Sequence, residues 1–404
     1  MHWSSSPENR HGFTVEERDH RWTRVRQLMA KQGVDLLIAL PQWLQEDSLY
    51  LANEVGVVLF PLEGEPSLII GGEGSNRAVA ADGWIKDRGS ATARGSTRVP
   101  YGEATAARLN EMKLAGKRVA VCGLRGSNLT LVRQPEGYVN YTTMLAIREA
   151  IPDAEIVDGT AILAPIRHIK SEAELDIMRD AIRVAEASAE ALAKAVRPGV
   201  PQAEAFGQML LEQMRCRADH AEASWCGGPW GEHKWRYTTP PPGLIEPHWY
   251  VLTEIGPTVQ GYNCQISEPV VVGRPDPQAK EIWELGKAAF ERASELMRPG
   301  ATWGEVKSGV QTLATSTYNI EMLVHGRGLG AEGPMLIPVD TDAHVRGEVL
   351  RAGSTFIVKP YAYPASGYAH VTRSHDVTWG DTVVVRDHGA ERLGSRPHEL
   401  VVVE

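Results

Sequence analysis

A duplicated segment constrains this chain more than any other feature. Arg197-Pro-Gly-Val-Pro-Gln-Ala-Glu204 recurs 101 residues later as Arg298-Pro-Gly-Ala-Thr-Trp-Gly-Glu305. Each copy follows an alanine-rich helical pattern and precedes another. An apolar stretch lies downstream of each: Ile245–Glu254 closes on WYVLTE, and Leu350–Lys359 closes on STFIVK, 105 residues apart. Two repeats in the same order at nearly the same offset predict two similar α+β halves packed about a pseudo-twofold axis. Glu254 and Lys359 then occupy related strand positions.

Upstream the pattern changes. Val15 to Gln32 has helical apolar spacing through Trp22, Val25, Leu28 and Met29, and Gly33 is a natural stop. Short apolar runs follow at Asp35–Leu40, Val57–Leu62, Ser67–Ile70, Arg118–Cys122 and Ala154–Asp158, alternating with helical patterns. This predicts an α/β layer with some parallel pairing. Ser171-x-x-Glu174 is a capping box that opens a long helix, which ends where Pro198 cannot continue it. The expected boundary lies near residue 165, giving an α/β domain over 1–165 and the repeat-containing domain over 166–404.

Charge and composition exclude several classes. With 42 basic and 51 acidic residues the net charge is −9, so non-specific nucleic-acid binding is not expected. No apolar run approaches membrane-spanning length, and the polar N-terminus lacks an apolar signal core. Cys122, Cys216, Cys226 and Cys264 are scattered without a CxxC pair, which fits a cytoplasmic protein without a disulfide framework. Neither a GxxxxGK[ST] phosphate loop nor a GxSxG nucleophile turn is present.

Several segments together resemble a known family. Arg167-x-Ile-Lys-Ser-x-x-Glu-Leu175, the duplicated Arg-Pro-Gly segments, Gly261-Tyr262, His325-Gly-Arg-Gly328 and Gly380-Asp-Thr-Val-Val-Val385 resemble the pita-bread family of prolidase, aminopeptidase P and creatinase. Arg24–Met29 with Gly33–Leu37 and Tyr50-Leu51 resembles the creatinase-type N-terminal domain. The resemblance implies an α/β N-terminal domain, an α+β pita-bread C-terminal domain and a homodimer.

The departures from that family direct the functional expectation. Metal-dependent members hold a dinuclear centre with two aspartates, a histidine and two glutamates. The resemblance lays these positions onto Glu254, Gln265, His325, Lys359 and Gly380. Hard divalent ions need several carboxylates, and a protonated lysine is no ligand. The expectation is a chain without metal or other cofactor, as creatinase is within the family. The family's working histidine falls at Tyr237 by ungapped spacing, while His233 lies four residues earlier in a Gly- and Pro-rich loop. Either is the second acid/base beside His325. Glu254, Lys359, Gln265, Arg327, Glu332 and His370 are the expected ligand-binding residues, Glu332 standing at or beside a second family histidine position. Arg373 and His375 share the His-rich stretch with His370. These residues imply acid/base hydrolysis of a C–N bond in a small polar nitrogen-containing molecule. A lyase, isomerase or cyclase of a specialised biosynthetic pathway, or a binding protein on a dead peptidase fold, are the alternatives.

Overall fold

The computed structural model describes residues 13–41, 47–71, 83–91, 100–126, 136–232, 239–330, 332–336, 343–366 and 375–404. They divide into two compact units. One runs to His168 and includes Leu329–Gly333; the other comprises Ile169–Gly328 and Pro334–Glu404.

The N-terminal unit begins with α1 (Val15–Gln32), capped at its start by the Thr14 hydroxyl and stopped at Gly33, whose φ of 66° is left-handed. There follow β1 (Leu36–Ala39), α2 (Asp47–Ala52), β2 (Val57–Pro61), β3 (Ser67–Ile70) and β4 (Asp87–Ser90). The unit continues with α3 (Tyr101–Asn110), β5 (Arg118–Val121), α4 (Tyr141–Ala150), β6 (Glu155–Asp158) and α5 (Thr160–Arg167). The described strands form one sheet in the order β4-β3-β2-β1-β5-β6. β1, β5 and β6 pair in parallel, whereas β1–β2 and β2–β3 are antiparallel. Leu36, Ile38 and Val121 pack with Leu109 and Ile147 of α3 and α4, while Phe60 meets Trp22 of α1 edge-on. Burial on both faces explains why these strands read as unbroken apolar runs. Asp87–Ser90 has no apolar signal and lies at the sheet edge, largely exposed.

The second unit carries the repeat. Its first half holds α6 (Glu172–Ala195), α7 (Gln202–Arg215), β7 (Ala223–Pro229), β8 (Trp249–Ile255), the two-residue strands β9 (Thr258–Val259) and β10 (Tyr262–Asn263), and β11 (Ile266–Val272). Its second half holds α8 (Pro277–Leu296), α9 (Trp303–Gln311) and β12 (Tyr318–Gly326), then, after the short β13 (Gly328–Leu329) at which the chain passes to the other unit, β14 (Met335–Leu336) and α10 (Ala343–Gly347). β15 (Thr355–Pro364), β16 (Asp381–Arg386), β17 (Gly389–Arg392) and β18 (Val401–Val403) complete it. The two principal sheets run β18-β11-β8-β7 and β14-β12-β15-β16-β17. β8 lies between β7 and β11 as β15 lies between β12 and β16.

Matched hydrogen bonds make the duplication physical. Gly199 N donates to Ile245 O (2.8 Å) and Ile245 N to Val200 O (2.8 Å). In the second half Gly300 N donates to Leu350 O (2.9 Å) and Leu350 N to Ala301 O (2.8 Å). Gly199 and Gly300 both have positive φ, 83° and 92°, which is why the Arg-Pro-Gly turn is retained in both copies. The copies differ at the next helix start. Thr302 and Glu305 form a full capping box, whereas Pro201 opens α7 without a side-chain cap. The Ser171/Glu174 capping box is present at the start of α6. No described helix is long and apolar enough to cross a membrane.

Candidate functional site

Strand alternation decides which side chains share a face. On β12, Ile320, Met322 and Val324 enter the helix-covered core, so Leu323 and His325 face the other way. On β15, Phe356 and Val358 enter the same core, and Lys359 takes the opposite face. Leu323 pairs with Lys359 and His325 with Ile357. In the other sheet Glu254 lies opposite Ser224 of β7 and Ser267 of β11.

These faces bring Glu254 and Lys359 together. Lys359 Nζ donates to Glu254 Oε1 at 2.5 Å, and both side chains are largely buried. The Glu254 N–H also donates to the Ser224 hydroxyl (3.2 Å). Beside this pair lies a second cluster. Arg327 donates through Nη1 to Asn263 Oδ1 and through Nη2 to Gln265 Oε1. Its Nη2 also lies 3.5 Å from His325 Nε2, and His325 Nδ1 is 3.3 Å from Gly326 O. That geometry favours the tautomer with the proton on Nδ1 and an accepting Nε2. Gln265 is fixed by Thr382, whose hydroxyl donates to Gln265 O (2.7 Å) and accepts from its N–H (3.0 Å). Burial lowers the Arg327 pKa; the negative charges of Glu222 and Glu254 oppose that shift.

Residue 380 is shaped around Lys359. A Cβ at Gly380 would overlap Lys359 Cγ and stand 2.8 Å from Val358 O. The Gly380 backbone bridges to Ser267: Ser267 N donates to Gly380 O at 3.0 Å and Gly380 N to Ser267 O at 3.2 Å. Arg396 braces the bridge from behind. Its Nη2 donates to Ser267 O and Gly380 O, its Nη1 is paired with Glu268, and its guanidinium lies 4.1 Å from the Trp379 ring centroid. Burial raises the Glu268 carboxyl to about 7 despite Arg396.

The donor set does not fit the family's dinuclear metal. Glu254 is held by an ammonium, the Gln265 amide oxygen accepts from a guanidinium, and Gly380 has no side chain and no room for one. Among the described residues no group of three His, Cys, Asp or Glu side chains is arranged to hold a metal ion.

The other expected residues fall elsewhere. Glu332 belongs to the N-terminal unit. It is buried and ion-paired with Arg167 (3.0 Å), which also holds Asp47 (2.5 Å) and the Leu329 carbonyl. Its carboxylate is committed to a structural cation. His233, Tyr237, His370 and Arg373 lie outside the described residues. His375 meets Trp230 edge-on at 5.2 Å. Cys226 and Cys264 are buried, and burial pushes the Cys264 thiol well up. Asn263, Thr382, Ser224 and Arg396 were not legible as site residues. Only the i, i+2 spacing of Asn263 and Gln265 hinted that those two share a face.

Comparison with known proteins agrees with this fold. An uncharacterized hydrolase/peptidase from Sinorhizobium fredii is 28% identical over 300 residues, covering 69% of this chain and 70% of that protein. The Xaa-Pro dipeptidase of Pyrococcus furiosus is 24% identical over 288 residues, covering 66% and 74%. The solved structure of an Xaa-Pro dipeptidase from Bacillus anthracis superposes with a TM-score of 0.73 at 20% identity, over 96% of this chain and 100% of that one. The profile of metallopeptidase family M24 matches residues 176–387, more than half of the sequence, and the chain belongs to that family of hydrolases.

Proposed function

We propose that this chain is a metal-independent hydrolase that cleaves a C–N bond in a small nitrogen-containing molecule. The observation that carries the reading is the Lys359–Glu254 pair, 2.5 Å apart on repeat-related strands, at positions that the resemblance lays onto two carboxylate ligands of the metal-dependent family. An ammonium there supplies fixed positive charge where the family uses a cation. An ammonium is a donor suited to an oxygen that gains negative charge as water adds to the carbon of the C–N bond. His325, with an accepting Nε2, takes the proton from that water and returns it to the departing nitrogen. No covalent intermediate is required. His233 or Tyr237 is the second proton carrier in this reading.

Dipeptides are one substrate class to test, because relatives bear the name Xaa-Pro dipeptidase. N-acyl and N-amidino amino acids are the other, by resemblance to creatinase. The test is elemental analysis of protein purified without added metal, with turnover measured on both classes with and without a chelator. The expected result is substoichiometric transition metal and chelator-insensitive turnover. His325→Ala should lower that turnover by about 10²–10⁴-fold. A pair of Mn, Co, Fe or Zn ions per chain, removed together with activity, overturns the reading.

A further inference from the structure

A cleft in the repeat-containing unit gathers three N–H-bearing side chains that the protein itself does not engage. It lies where α8 faces β15, has about 230 Å³ of space partly open to solvent, and is lined by Trp283, Gly286, Lys287, Pro360, Trp379 and His398. Trp379 is 3% exposed, and its buried indole N–H has no hydrogen-bond partner among the described residues. His398 stacks on Trp379 at 3.8 Å and meets Trp283 edge-on at 5.5 Å. Among the described residues neither ring nitrogen of His398 is hydrogen-bonded, and half-buried Lys287 has no ion pair.

Position 286 keeps the cleft open. Glycine is among the least favourable residues inside a helix, yet Gly286 sits in the middle of α8. A Cβ there would meet only Pro360 O, at 4.0 Å, so no close contact demands glycine, and the missing side chain leaves space against β15.

Charge selects what fills that space. Burial, with the positive charges of Lys287, Arg392 and Arg396, disfavours protonation of His398, so the neutral imidazole keeps one N–H. Arg392 is paired with Asp381 (2.8 Å) and Arg396 with Glu268, whereas Lys287 has no such counter-charge among the described residues. An indole N–H and an ammonium are donors only, so their partner is an acceptor, and one uncompensated ammonium matches one negative charge. The space is smaller than the roughly 300–1,000 Å³ of pockets for drug-sized ligands, which limits the occupant to a few heavy atoms.

We propose that this cleft binds a small monoanion of the size of a halide or formate, held by the Trp379 indole N–H, the Lys287 ammonium and the His398 imidazole. Pro360 and Trp379 adjoin Lys359 and Gly380 in the chain, so the anion site lies across β15 from Lys359. It stands independently of the hydrolase reading above.

The test titrates sodium bromide and sodium formate into the full chain at constant ionic strength in gluconate, an anion too large for the cleft. Titration calorimetry gives affinity, and thermal unfolding checks that each variant folds. Both small anions should bind saturably and sulfate more weakly. Lys287→Met removes the charge and Gly286→Leu fills the space; each should weaken bromide binding by about tenfold or more. Trp379→Phe, which keeps a ring but loses the N–H, should weaken it as well; if that variant does not fold, the other two decide. In a bromide-soaked crystal the anomalous peak should lie within hydrogen-bond distance of Trp379 Nε1. Absence of saturable binding, an affinity unchanged by Lys287→Met or by Gly286→Leu, or bromide found only elsewhere overturns the site. A preference for sulfate overturns the monoanion assignment.

Discussion

Gly380 and Lys359 occupy one space. The ideal Cβ position of residue 380 coincides with the Lys359 stem and stands 2.8 Å from the Val358 carbonyl. The resemblance lays both residues onto acidic positions of the family, and the lysine stem fills space that a side chain at residue 380 would need. Gly380→Ala should destabilise the protein by about 1–3 kcal/mol through overpacking. Lys359→Ala should cost less in this chain than in wild type, because it relieves the overlap with the lysine stem but not the approach to the Val358 carbonyl. A double-mutant cycle from denaturant unfolding measures the coupling; additive costs would show that the two residues do not compete.

Lys359→Met keeps most of the stem and removes the charge. Glu254 is then left largely buried without its cation, for which the expected cost is about 3 kcal/mol, the low end of the range because some solvent contact remains. Adding Glu254→Gln should restore most of the stability but not the activity. A single Lys359→Met variant as stable as wild type would show that the ion pair does not hold the site.

The Arg-Pro-Gly repeat gives an internal control for capping. Thr302→Ala removes the hydroxyl that accepts from Glu305 N–H and should cost about 1 kcal/mol. Glu305→Ala should lower the melting temperature, while Glu204→Ala at the related position of α7 should have the smaller effect, because Pro201 offers no capping side chain. Equal melting temperatures for the two glutamate variants would contradict the asymmetry.

His398 and Glu268 oppose each other in pH dependence. His398 stacks on Trp379 at 3.8 Å, and burial, with Lys287, Arg392 and Arg396 nearby, lowers its pKa to about 3. The unfolded chain binds a proton near 6.5 that the native state refuses, so this contribution is complete above about 6.5 and is lost as pH falls toward 3. Glu268, raised to about 7 chiefly by burial, has the opposite sign: its contribution is present below about 4.5 and is lost as pH rises to 7. His398→Phe should therefore move the acid-unfolding midpoint to lower pH. Glu268→Gln should make stability rise more steeply between pH 4.5 and 7. Denaturant midpoints across this range measure both, and a slope unchanged by either substitution would contradict the assignment.

Much of the architecture is local, and the sequence determined it. The apolar spacing of α1, the Gly33 stop, the Ser171/Glu174 box and the two Arg-Pro-Gly turns depend on contacts between residues three or four apart, or on backbone angles that only glycine reaches easily. The repeat offset places Glu254 and Lys359 on equivalent strands. Asp87–Ser90 was missed because its strand exists only through pairing with β3, not through any apolar signal of its own. The site's chemistry was decided by tertiary structure. The two hydrogen bonds from Arg327 to Asn263 and Gln265 cross more than sixty positions, and the Arg167–Glu332 pair crosses 165. Sequence could show that Glu332 carries a carboxylate, but not that a buried guanidinium already holds it. It could show that residue 380 is glycine, but not that the lysine stem fills the missing side chain's place. Residue types fix what charges and donors are available; only the pairing of strands fixes which of them meet, and which donor is left over.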